Sequence, residues 1–173
     1  MDETRDDWEL RVAALWKRVD ALEVEELVSA VDALANERDA GDASALFERA
    51  CARDTAGLES QAEQYYRAAL ATGALDPYRS SRASIQLAST LRILGRLEES
   101  EQLLVSELDR HMAAGAPRAL HDEARATLAL TYVAQGRPME AAGLALVTLA
   151  PHLTRYNRSI SGNAAYLVTK TWT

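Results

Sequence analysis

Several residue types and sequence patterns are scarce in this 173-residue chain, and each absence excludes a class of protein. Cys51 is the only cysteine, so an internal disulfide is impossible and a reducing compartment is favoured. The N-terminal sequence MDETRDDWEL is acidic and lacks the apolar core of a secretory signal. The longest apolar stretch, Ala141 to Ala150, is half the length of a membrane span. We therefore expect a soluble, cytoplasmic protein with no membrane partner.

Positive charge is also in short supply. The chain has 19 Lys and Arg residues against 26 Asp and Glu residues, a formal charge of −7 and no basic run. An acidic surface repels phosphate groups, so nucleic acid is not an expected partner.

Motifs that carry catalysis or hold a cofactor are absent from the sequence. There is no G-x-x-x-x-G-K-[ST] phosphate loop, no G-x-G-x-x-G after a strand and no G-x-S-x-G nucleophile elbow. Cys51 has no nearby histidine to act as a base, so we interpret it as a small packing residue. His111 and His121 flank the segment MAAGAPRA and are interpreted as surface loop residues. We expect no enzyme activity, no metal and no cofactor.

The residues that are abundant favour helices. Alanine and leucine dominate, aromatic residues make up 6% of the chain, and the β-branched clusters typical of strands are nearly absent. The chain is 48% hydrophobic and no long Pro/Gly/Ser-rich linker interrupts it. The sequence therefore predicts an all-α protein that forms a single domain, residues 1–173.

Three similar segments follow one another along the chain. Their glycines, Gly57, Gly95 and Gly136, are 38 and 41 residues apart, a period typical of arrays of helical hairpins. We expect each glycine to end one helix in the left-handed conformation. Small residues recur where the two helices of a hairpin must approach closely: Ala50, Ala88 and Ala129 before the glycines, and Ala62, Ser100 and Ala141 after them.

The strings LASTLRILGRLEESEQLL and LALTYVAQGRPMEAAGLAL resemble the helix-turn-helix signature of the tetratricopeptide repeat family. The resemblance covers residues 42 to 151, and the whole chain resembles bacterial stand-alone proteins of that family. The first repeat departs from the signature, because Arg49 and Arg53 stand where the others have apolar residues. The resemblance implies an α-solenoid of about nine helices in a right-handed superhelix.

The segments on either side of the repeats are predicted to cap the array. Trp8, Val12 and Trp16 share one helical face, and helix Ala141 to Ala150 is apolar almost all round, so it needs cover on both sides. Tyr156, Ile160, Ala164, Tyr166 and Leu167 are predicted to form the covering face. The predicted segments are an N-terminal capping hairpin at 6–38, repeats at 42–76, 77–116 and 118–151, and a C-terminal capping helix at 152–173.

The function that the resemblance implies is noncatalytic binding of a peptide or protein segment in a concave groove. A self-associating homodimer formed through the C-terminal repeat, and a small-molecule sensor, are the alternatives. The cationic clamp with which some family members hold an acidic C-terminal tail has no counterpart in this sequence. Carried over from the family, the groove residues are Phe47, Glu48, Cys51, Asp54, Arg82, Ile85, Gln86, Ser89, Arg92, Ile93, Glu123, Thr127 and Leu130.

Overall fold

A computed structural model describes residues 3–112 and 120–169, and all of its regular elements are helical. No strand occurs within those ranges, so the all-α prediction is confirmed. The predicted repeat ends at 116 and 118 and the last residues of the predicted cap, 170–173, lie outside the described residues. Nine α-helices are formed by the described part of the chain: α1 Glu3–Trp16, α2 Val24–Ala35, α3 Ala43–Thr55, α4 Glu59–Ala71, α5 Pro77–Ile93, α6 Leu97–Met112, α7 His121–Ala134, α8 Pro138–Leu149 and α9 Asn157–Thr169.

The three repeat glycines end α3, α5 and α7 in the same way. Gly57, Gly95 and Gly136 have φ angles of 68°, 78° and 76°, which confirms the predicted left-handed conformation. In each turn the amide of the following residue donates to a carbonyl five residues back, for example Leu58 N–H to Arg53 C=O at 2.8 Å. These are Schellman turns, which satisfy carbonyl groups at the end of the helix and reverse the chain into the next one.

The chain divides into two compact units, Met1–Arg79 and Ser80–Thr173, and each is described by itself. In the first unit, Trp8 of α1 is buried and its indole N–H donates to the Leu34 carbonyl of α2 at 2.8 Å. Arg53 of α3 donates to both carboxylate oxygens of Asp32 on α2, at 2.9 and 2.8 Å. This bidentate pair is the physical reason why the first repeat departs from the apolar signature at Arg53.

The core of the second unit joins α5, α6 and α7. Ile85 of α5, Leu104 of α6 and Leu128 of α7 belong to one buried cluster. The hydroxyls of Ser100 and Thr131, both fully buried, are 2.9 Å apart and join α6 to α7. Ala88 and Ser100, two of the small residues of the repeat, therefore lie at helix contacts.

The interpretation of His111 as a surface loop residue is wrong. Its ring lies inside the second unit, where Nε2 is 2.9 Å from Ser81 Oγ and 2.8 Å from Glu107 Oε1. Glu107 precedes His111 by one turn of α6, so the two side chains share a helix face. That face points inward, towards α5, where Ser81 Oγ, Glu107 Oε1 and His111 Nε2 bond to one another, while His111 Nδ1 is buried without a hydrogen-bond partner among the described residues.

The C-terminal helix α9 covers one side of α8. The crossing is close because Gly143 has no side chain: a Cβ atom there would lie 2.9 Å from the carbonyl oxygen of Ala164. Ala164 is buried, as predicted, but Tyr156 and Tyr166 are 73% and 60% exposed. The prediction that these two tyrosines form part of the covering face is wrong, because Ala164, Leu167 and Val168 make the contact with Gly143 and both tyrosine side chains are exposed.

Candidate functional site

Most of the predicted groove residues that belong to the first unit are buried in the interior of that unit. Phe47 is completely buried with its ring 6.3 Å from that of Tyr66, and Cys51 is 4% exposed, with Sγ 3.7 Å from the Tyr66 hydroxyl. Asp54 is half-buried and accepts a hydrogen bond from the same hydroxyl at 3.2 Å. Burial raises the pKa of Tyr66, with Cys51 and Asp54 adding to the effect. These side chains contact one another, and the interpretation of Cys51 as a packing residue is confirmed.

Glu48 is the fourth of these residues, and the N-terminal helix shields it. Its carboxylate accepts a hydrogen bond from the Trp16 indole of α1 at 2.6 Å and lies 3.9 Å from the Arg79 guanidinium. Arg79 also pairs with Glu9 of α1. Side chains of α1 and α5 therefore enclose the Glu48 carboxylate, which is buried.

The predicted residues on α5 are more accessible. Arg82, Gln86, Ser89 and Arg92 are half-buried, whereas Ile85 is 8% exposed and belongs to the core. Arg92 makes one long contact within its own helix, from Nη2 to Ser89 Oγ at 3.4 Å. Ile93 is 54% exposed at the end of α5. This face of α5 combines cationic and apolar groups.

The predicted residues on α7 are also accessible. Glu123 and Leu130 are exposed, the latter at 54%, and Val133 one turn further on is 55% exposed. Thr127 uses its hydroxyl within the helix, donating to the Glu123 carbonyl at 2.9 Å. The shared core cluster of α5 and α7 places the two helices side by side. The second unit therefore brings together the exposed members of the predicted groove.

A groove of about 750 Å³ runs between α7 and α8, and is called the α7–α8 groove below. Its α7 side consists of Asp122, Glu123, Ala126, Ala129, Leu130 and Val133. Its α8 side, extended by the following turn, consists of Pro138, Ala141, Ala142, Ala145, Thr148, Leu149 and His152. The groove is open to solvent and almost entirely apolar, except at one end where Asp122 and Glu123 lie.

The α8 side of this groove was not identified from the sequence. Ala142 and Ala145 are exposed, and Leu149 is 48% exposed, although all three lie in the apolar stretch that was predicted to be covered. The signal was present, because a helix that is apolar all round has more faces than one capping helix can cover.

A polar cluster closes the other end of the α7–α8 pair. Arg137 donates to Glu140 at 2.7 Å and to Glu101 at 2.9 Å, and its guanidinium lies 4.0 Å from the centre of the Tyr132 ring. Burial opposes ionisation of Glu101, but hydrogen bonds from Gln135 and Arg137 lower its pKa overall. The hydrogen bond from Arg137 likewise lowers the pKa of Glu140. The cluster is internally paired and fixes the turn between α7 and α8.

The described residues contain no group of three or more His, Cys, Asp or Glu side chains that could hold a metal ion. None of the helices in the ranges 3–112 and 120–169 is long and apolar enough to cross a membrane.

Comparison with known proteins agrees with the helical hairpins. The family model described as Tetratrico peptide repeat matches residues 43–167, which include every helix from α3 to α8 and most of α9. Comparisons with curated proteins and with solved structures gave no significant match. Because the family model covers well over half of the chain, and its range coincides with the glycine-terminated hairpins, the chain belongs to the tetratricopeptide repeat family.

Proposed function

We propose that this chain is a noncatalytic interaction module that binds a segment of another protein along the faces of α5 and α7 in the second unit. Repeats of this family generally mediate protein–protein interactions. The observation that carries the proposal is the exposure of apolar side chains on the two helices, Ile93 on α5 and Leu130 and Val133 on α7, each more than half exposed. The cations Arg82 and Arg92, on α5, are half-buried.

This combination of groups favours a partner segment of mixed charge with a few apolar side chains. Apolar anchors that leave water on binding supply most of the affinity of such an interface. Ion pairs at the rim contribute under about 1 kcal/mol each, so Arg82 and Arg92 set orientation more than strength. The first unit contributes less in this proposal, because Phe47, Glu48 and Cys51 are buried.

Site-specific photocrosslinking tests the proposal. A photoreactive phenylalanine analogue replaces Ile93 in one variant and Val105 in a matched control, since Val105 is a 39% exposed apolar residue on α6. We expect the Ile93 variant, expressed in the host cell, to form a discrete adduct with another protein that the Val105 variant does not form. Identical adducts from both positions, or none from Ile93, would contradict the proposal.

A further inference from the structure

The second unit contains two copies of one groove, of which one is filled. α7 packs against α6 and α5, with Ala124 and Leu128 in the same cluster as Ile85 and Leu104, and Thr131 against Ser100. α5 and α6 therefore form a groove that holds a helix. The α5–α6 groove, which α7 fills, therefore shows what kind of segment the α7–α8 groove can hold.

Each residue of the α7–α8 groove lies 41 residues after a residue of the α5–α6 pair, the same shift that separates Gly95 from Gly136. Along the two grooves, Ser81, Ile85, Ser100, Leu104, Glu107 and His111 correspond to Asp122, Ala126, Ala141, Ala145, Thr148 and His152.

Burial differs sharply between the equivalent positions. Leu104 is fully buried under α7, whereas its counterpart Ala145 is exposed. The contact between Ser81 and His111 recurs as one between Asp122 and His152, at 3.0 Å. The first pair is buried, but the His152 and Asp122 side chains are 63% and 47% exposed. No helix of the described residues covers the α7–α8 groove as α7 covers the α5–α6 groove; α9 packs on another side of α8.

We propose that the α7–α8 groove binds one amphipathic helix of a partner protein, seated on α7 and α8 as α7 is seated on α5 and α6. This inference rests on the proposed interaction function and adds a second binding surface, between α7 and α8, to the faces of α5 and α7. The α7 template indicates an occupant of about four turns, since α7 has 14 residues.

The groove specifies the side chains of its occupant. Ile85 and Leu104 are replaced by Ala126 and Ala145, so the side chains along the α7–α8 groove are smaller than those along the α5–α6 groove. The occupant therefore needs large apolar side chains, leucine or phenylalanine, at both of the positions where α7 inserts Ala124 and Leu128.

The acidic end of the groove sets the direction and charge of the occupant. In the filled groove, the first residue of α7, His121, has its ring 5.7 Å from that of His111. The N-terminal turn of the occupant would lie correspondingly near His152, beside Asp122 and Glu123. Carboxylates there favour both a lysine or arginine in that turn and the positive end of the helix dipole.

A second copy of this chain using the same face is a poorer occupant. A twofold contact brings identical surfaces together, so two grooves would face each other and leave a void where a ridge is needed. The same contact would bring two acidic ends into one interface, in a chain whose formal charge is already −7.

Synthetic helices test the inference on the full chain. The probe is a fluorescent 14-residue peptide, stapled on its polar face, with leucines along the other face and two lysines in its first turn. One control peptide has glutamates in place of the lysines, and another has the leucines distributed around the helix. Fluorescence anisotropy measures binding, and circular dichroism checks that each protein variant is folded.

The protein variants fill the groove or leave it open. Ala126→Leu combined with Ala145→Leu adds bulk at two exposed positions of the groove, whereas Ala71→Leu adds the same side chain at an exposed position of α4. We expect the double variant Ala126→Leu/Ala145→Leu to bind the lysine peptide more weakly, by about tenfold or more. Ala71→Leu should change the affinity less than about twofold. Leu149→Gln, which adds no bulk, should also weaken binding, so the test does not depend on one variant.

Three results would overturn the inference. The first is that the lysine peptide does not bind, and the second is that it binds the wild type and the double variant Ala126→Leu/Ala145→Leu equally well. The third is that the wild type sediments as a dimer and the double variant as a monomer. If the Ile93 crosslink to another protein persists in any of these cases, the proposed function stands and only the assignment of the α7–α8 groove fails.

Discussion

The crossing of α9 over α8 can be tested with two glycines in helices. Gly143 lies in the middle of α8, where an added Cβ would be 2.8 Å from Leu167 Cβ and 2.9 Å from the Ala164 carbonyl oxygen. Gly162 lies in the middle of α9, where an added Cβ meets nothing within 4 Å. Gly143→Ala and Gly162→Ala therefore add the same methyl group, at Gly143 where there is no room for it and at Gly162 where there is.

The expected magnitude follows from two opposing effects. Each alanine gains about 0.5–1 kcal/mol of helix stability over glycine, because it restricts the unfolded chain. At Gly143 the contacts are with a backbone carbonyl and a Cβ atom, neither of which can swing aside, so α9 must shift. Overpacking of this kind costs about 1–3 kcal/mol. The helix gains cancel in the comparison, so Gly143→Ala should be less stable than Gly162→Ala by about 1–3 kcal/mol.

Urea unfolding of the two variants and the wild type, followed by circular dichroism, measures this difference. Gly162→Ala is expected to be more stable than the wild type, and Gly143→Ala the least stable of the three or close to the wild type. The amide exchange rates of α9 should rise in Gly143→Ala alone, because its contact with α8 is the one disturbed. Equal stabilisation by both alanines would refute the close crossing of α8 and α9.

Three further predictions concern α9, Arg137 and ligand charge. A chain ending at Thr154 should melt lower in calorimetry and self-associate in light scattering, since removing α9 exposes apolar surface of α8; an equally stable monomer would contradict this. Arg137→Ala should lose about 1–2 kcal/mol at pH 7. Folding lowers the pKa of Glu101, so the stability that Glu101 contributes is present above the unfolded carboxyl pKa of about 4.3. That contribution is lost as the pH falls through the folded pKa. The urea midpoints of the wild type and Arg137→Ala should therefore converge in acid. An acidic peptide with a free C-terminal carboxylate should not bind in calorimetry; micromolar binding that is lost when Arg82 and Arg92 become alanine would refute the absence of a cationic clamp.

The sequence was sufficient for the features that depend on neighbours along the chain. Gly57, Gly95 and Gly136 adopt positive φ because a residue without a Cβ does so at no steric cost, and each ends its helix where predicted. Pro138 begins α8, where its missing amide costs no hydrogen bond. Helices, turns and repeat period were predictable because they are governed by interactions within a few residues.

Tertiary structure alone decided which of these helical faces are open. Glu48 was predicted to line the groove but is buried, and Trp16, 32 residues earlier, donates to its carboxylate. His111 is inside because α5 presents Ser81 to it, whereas the equivalent His152 is exposed. The apolar pattern of α8 predicted that it would be covered, but the missing side chain of Gly143 determines which side α9 takes. Burial is a property of pairs of surfaces distant in sequence, and a single helix cannot specify its partner.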